Sequence, residues 1–170
     1  MVKRILWGIA IILAAALLQS TVLSRLTLYI SAVPDLALCI LVYISYVNGT
    51  MTGQLTGFLS GILLDFLSAA PLGLNAFVRT ISGAVIGLFH GSFFLDIFFL
   101  PMALCAGATI IKAGLYFLLH IVFPDAVPSY DIFALTLWIE MGMNTFLAPF
   151  LFGLLKLIKP LRAGEREKAL

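Results

Sequence analysis

Apolar residues fall into six runs, separated by short breaks that carry proline, glycine or charge: about Ile5 to Leu23, Asp35 to Val47, Thr50 to Leu67, Leu72 to His90, Phe94 to His120 and Ile132 to Ile158. About 20 residues of helix cross a hydrocarbon core about 30 Å thick. The runs therefore predict an all-α, polytopic membrane protein of about six transmembrane helices, with one domain over 1–160 and a cytoplasmic tail over 161–170. The second run is the exception. At roughly 14 residues after Pro34 it spans only about 20 Å as a helix, so it is expected to lie in the protein interior, or to cross only where the bilayer thins.

Small residues in the third and fourth runs are themselves periodic. Gly49, Gly53, Gly57 and Gly61 recur every four residues and lead to Asp65; Arg79 leads into Gly83, Gly87 and Gly91. Such series let two helix backbones approach closely. Spacing four drifts about 40° per step on a helix of 3.6 residues per turn, so each stripe winds. Gly57, Gly61 and Asp65 still share a face, as do Arg79, Gly83 and Gly87. The expectation is a tight, crossed hairpin with Gly53, Gly57, Gly61, Gly83 and Gly87 as packing positions.

Composition removes the soluble alternatives. The 170 residues are 62% hydrophobic and 11% charged, with mean hydropathy +1.15, more apolar surface than a soluble domain of this size could hide. The net charge of +2 matters less than its placement. Lys3 and Arg4 precede the first run, and Lys156, Lys159, Arg162, Arg166 and Lys168 follow the last, whereas Arg25 is the only basic residue in the loops expected on the opposite side. The positive-inside rule then places both termini in the cytoplasm. The Lys3-Arg4 head and the apolar stretch to Leu18 also resemble a signal peptide, but no small-x-small site follows, and the segment reads as an uncleaved span. Cys39 and Cys105 lie in apolar runs and are expected to pack as small hydrophobes. Phe93 to Phe99 surrounds Asp96 with aromatics, as an interfacial turn does.

Four charges fall within or beside the spans: Asp65, Arg79, Lys112 and Glu140. On this topology all four lie in the outer half of the bilayer, Lys112 and Glu140 deepest at ~12 Å. An unpaired charge at the bilayer centre costs about 2.5–3.5 kcal/mol on insertion scales, so two acids and two bases are expected to pair. The hairpin suggests Asp65 with Arg79, and equal depth suggests Lys112 with Glu140. Asn75, Asn144 and Tyr116 could extend the network. No Walker sequence, dinucleotide fingerprint or nucleophile elbow is present, and His90 and His120 lack ligand spacing. Neither an enzyme nor a cofactor site is expected, and the basic residues are explained by topology without nucleic acid.

Gly53-Gln54-Leu55-Thr56-Gly57-Phe58-Leu59-Ser60-Gly61-Ile62-Leu63-Leu64-Asp65, followed by Pro71-Leu72-Gly73-Leu74-Asn75-Ala76, resembles the bacterial rod shape-determining protein MreD family. So do Leu18-Gln19-Ser20-Thr21 and Pro34-Asp35-Leu36. The resemblance implies a non-enzymatic inner-membrane subunit of the cell-elongation machinery for peptidoglycan synthesis, working with MreC, MreB, RodA and a penicillin-binding transpeptidase. Members of this family also look like the substrate-binding membrane subunits of energy-coupling-factor transporters, which implies a shared six-helix fold.

Two functions compete at this level. A scaffold would bind the transmembrane helix of MreC by helix packing. A vitamin- or metabolite-binding transporter subunit would line an outward-facing pocket with Arg79, Lys112 and Glu140, and dock on its transporter through Ala10-x-x-x-Ala14. Tight small-molecule sites need convergent polar groups and usually aromatic rings. Only Trp138 falls near such a pocket, and the outside loops are short, which favours the scaffold. An ion channel would need unpaired charges, against the two-to-two balance.

Overall fold

The computed structural model describes residues 2–21, 32–68, 70–91, 98–127, 131, 133–158 and 161. Six helices follow the six runs: α1 Val2–Thr21, α2 Leu36–Asn48, α3 Thr50–Leu67, α4 Leu74–Leu88, α5 Phe99–Val122 and α6 Leu135–Leu155. Most of the aromatic turn around Asp96 and all of the tail from Arg162 lie outside the described residues, whereas Leu161 is buried and its carbonyl accepts from Asn48 Nδ2 at 3.2 Å.

By length and composition α1, α5 and α6 can cross a membrane, half of the six spans expected. The other three fall short for different reasons. α2 and α4 are apolar but only 13 and 15 residues long. In α3 the Thr50, Thr52, Gln54, Thr56, Ser60 and Asp65 side chains interrupt the apolar sequence.

α2 is the centre of the fold. Every residue in it except Leu36 and Val47 is buried, as its all-round apolar sequence requires. It touches each of the other five helices, which line up around it through the neighbours α1 and α3, α3 and α4, α4 and α5, and α5 and α6. A helix about 20 Å long cannot span a bilayer by itself; here protein surrounds it instead of lipid. Tyr43 of α2 meets Phe152 of α6 edge to face, with ring centroids 5.1 Å apart, a favoured aromatic geometry. Gly49, at φ +82°, is the single residue between α2 and α3, and its N–H closes α2 on the Ser45 carbonyl at 2.8 Å.

α3 and α4 form the most extensive helix pair. A Cβ added to Gly53 would lie 2.5 Å from the Gly83 carbonyl oxygen, and the reciprocal addition at Gly83 would lie 2.5 Å from the Gly53 carbonyl. Added at Gly57 it would strike the Arg79 backbone, at Gly61 the Ala76 backbone, and at Gly87 the Thr50 backbone. As α3 advances, its partner on α4 recedes by a similar number of residues, so the helices run antiparallel in backbone contact along their length. Such contact requires residues without side chains.

Candidate functional site

The polar interior is built where α2 starts. Asp35 is the N-cap of α2, and its Oδ1 accepts from the Leu38 N–H at 2.9 Å. Two further donors at this helix start are met by other helices. Asn144 Oδ1 of α6 takes the Asp35 N–H at 2.8 Å, and Gln19 Oε1 of α1 takes the Leu36 N–H at 3.2 Å. Asn144 is fully buried and donates in turn to Thr109 Oγ1 of α5 at 3.0 Å. Three helices are thereby fixed on the first turn of a fourth.

The same carboxylate is the counter-ion of two cations. Arg79 Nη2 of α4 lies 3.2 Å from Asp35 Oδ1, and Lys112 Nζ of α5 lies 2.9 Å from Asp35 Oδ2 and 2.6 Å from Glu140 Oε1 of α6. The four side chains are between 9% and 16% exposed. Two acids and two bases from four helices thus form one neutral, water-poor lattice, in which removing any member strands a buried charge.

Asp65 belongs to a different construction. Its Oδ2 accepts from the Gly73 and Ala76 N–H groups at 2.9 and 3.2 Å, and its Oδ1 from the Asn75 N–H and Nδ2 at 2.9 Å each. A carboxylate on α3 therefore caps the first turn of α4, where free N–H groups and the helix dipole favour negative charge. Gly73, at φ +93°, turns the chain so that these donors converge. The expected Asp65–Arg79 ion pair does not form: the start of α4 holds Asp65, and Arg79 turns toward α2. The expected Lys112–Glu140 contact is present but shares Lys112 with Asp35. Asn75 ties the Asp65 cap to α5, since Tyr116 Oη of α5 donates to its Oδ1 at 3.4 Å.

A cavity of about 370 Å³ opens at this end of the bundle, between the last turns of α1 and α3 and the first turns of α2 and α4. Arg79, Asp35 and Asn75 reach it; Lys112 and Glu140 do not. The Nε and Nη1 atoms of Arg79 are buried and have no hydrogen-bond partner among the described residues. Ala10 and Ala14 lie exposed on α1, and Trp138 is half-exposed on α6.

Residues 1–158 match the family described as rod shape-determining protein MreD. The chain belongs to the MreD family. No curated protein and no solved structure matches it. MreD membership assigns the chain to rod-shape determination, and with its three span-like helices makes it a membrane protein. The MreD match runs through all six helices, so the charge lattice and the glycine-packed hairpin lie within the family region.

Proposed function

We propose that the chain is a non-enzymatic scaffold of the inner-membrane machinery that synthesises peptidoglycan during cell elongation. In this reading it binds the transmembrane helix of MreC, both termini face the cytoplasm, and RodA, its transpeptidase and MreB are reached through the assembly. Family membership carries the reading, and the chemistry of the interior supports it. Lys112 is engaged with both Glu140 and Asp35, and Asp65 with the α4 backbone. These contacts lock helices together; none leaves an activated nucleophile or base facing a substrate.

The surface of α5 supports helix docking. A Cβ added at Gly107 or Gly114 would meet nothing within 4 Å, whereas the α3 and α4 glycines are filled by neighbouring backbone. Seven residues is close to two helical turns, so both glycines lie on one face where another helix can approach closely. Affinity purification of the tagged chain in mild detergent, with identification of co-purifying proteins, tests the reading. Recovery of MreC supports it; recovery of an ATPase-coupled transporter module in place of MreC overturns it.

A further inference from the structure

Cys39 and Cys105 pack as the small hydrophobes their apolar runs suggest, each buried at 1% exposure and each a free thiol. They are also neighbours. Cys39 lies four residues after Asp35, the N-cap of α2, and Cys105 lies seven residues before Lys112 on α5. Four residues is about one helical turn and seven about two, so each cysteine shares the face of its helix that carries a partner of the Asp35–Lys112 ion pair. Those faces pack against each other, and the two thiols meet between them as a hydrogen-bonded pair in the central hydrophobic core.

The surroundings decide what such a pair can do. A metal ion would require both sulfurs as thiolates, and among the described residues no group of three metal-binding side chains exists to complete its ligand set. Two thiolates around a monovalent ion would also leave a net charge in an apolar core, where charge is costly. A disulfide places none there. It replaces two weak S–H donors with an uncharged bond, and side chains that already face one another meet the directional requirement for forming it.

We propose that Cys39 and Cys105 are a redox modification site, a dithiol that a hydroperoxide converts to a disulfide joining α2 to α5. Hydrogen peroxide is small and uncharged, so it enters an apolar interior that excludes ionic oxidants. The sulfur of one cysteine attacks a peroxide oxygen, the O–O bond breaks, and the thiol proton leaves with the departing hydroxide as water, giving a sulfenic acid. The second sulfur then attacks the sulfenic sulfur, the S–O bond breaks, and its proton leaves with hydroxide as a second water. The thiols lose two electrons in all, and the peroxide is reduced to water. Burial slows the first step but favours the second, because the neighbouring thiol reaches the sulfenic acid before another peroxide can carry it to sulfinic acid. The link fastens the central helix of the fold to α5, whichever protein the chain binds.

The chain has only these two cysteines, so counting free thiols reports on this pair alone. The full-length protein, reduced and held in mild detergent, is treated with hydrogen peroxide, quenched with catalase, denatured and alkylated with a maleimide, and its intact mass is read. The expected product is an unalkylated monomer linked between Cys39 and Cys105, which a phosphine reductant returns to the doubly alkylated form. It should also unfold at a higher mole fraction of dodecyl sulfate than the reduced protein, whereas Cys105→Ala, which cannot form the link, should gain no resistance from peroxide. Both thiols still alkylated after peroxide, sulfinic or sulfonic acid without the link, or a disulfide joining two chains would each overturn the inference. These outcomes are read on the wild-type chain, so the test stands even if the variant does not fold.

Discussion

Replacing Asp35 separates the two roles that its carboxylate fills. Asp35→Asn keeps an oxygen able to cap α2 and nearly the same shape, but leaves Arg79 and Lys112 with Glu140 as the lattice's remaining anion. Breaking a buried ion pair by removing one partner costs about 3–5 kcal/mol, a large part of the roughly 5–15 kcal/mol that holds a typical domain folded. Asp35→Ala should cost about 1 kcal/mol more, because the Leu38 N–H also loses its cap. The decisive variant is the double substitution Asp35→Asn with Arg79→Gln, which restores neutrality with Lys112 and Glu140 paired. If charge balance dominates, it should be more stable than Asp35→Asn alone by at least about 1 kcal/mol, well outside the error of additivity for independent sites. Reversible unfolding in mixed detergent and dodecyl sulfate micelles, followed by helical circular dichroism, measures these proteins, together with wild type and Arg79→Gln alone, on one scale. Wild-type stability of Asp35→Asn, or strictly additive losses in the double variant, would refute the lattice as described.

Other substitutions probe the remaining parts of the architecture. Asp65→Ala should accelerate amide hydrogen exchange at Gly73, Asn75 and Ala76 and cost about 2 kcal/mol, from the unmet donors of the first α4 turn; unchanged protection at those amides would contradict the capping role. Gly57→Ala drives a Cβ into the Arg79 backbone and should lower the unfolding midpoint by separating α3 from α4. Gly114→Ala meets open space and should be neutral or stabilising by up to about 1 kcal/mol, the helix-propensity difference; equal effects at the two sites would remove the argument from close packing. Gly114→Leu should leave the isolated chain folded yet reduce MreC recovery in co-purification, and undiminished recovery would move the docking face away from this part of α5.

The helices were legible because apolar runs of span length admit few alternatives, and the interior placement of the second run followed from its shortness. The hairpin was legible for a similar reason: glycine at spacing four on two adjacent runs allows a backbone contact that other residues forbid, and α3 and α4 use it. The number of spans was less legible, because runs of similar appearance differ in length and polar content, and α2, α3 and α4 do not meet the criteria that α1, α5 and α6 meet.

The ion pairing was harder to read, and the reason is physical. Pro34-Asp35 before an apolar run is the ordinary signature of a capped helix start, and caps usually face solvent. Here every side of α2 is covered, so the cap is buried and its second oxygen must find a cation. The sequence does hold a partial signal for this, because a helix that is both apolar on all faces and too short to span is expected in the interior, which draws the residue that begins it inward. Asp65 misled in the opposite direction. It lies at the same end of the hairpin as Arg79, which suggests a pair, but Gly73 opens α4 closer to it, and several converging N–H groups hold a carboxylate without a cation. Once Asp65 is satisfied by backbone, neutrality of the remaining lattice requires a third acid to balance Arg79 and Lys112 beside Glu140. Among the described residues, Asp35 fills that place.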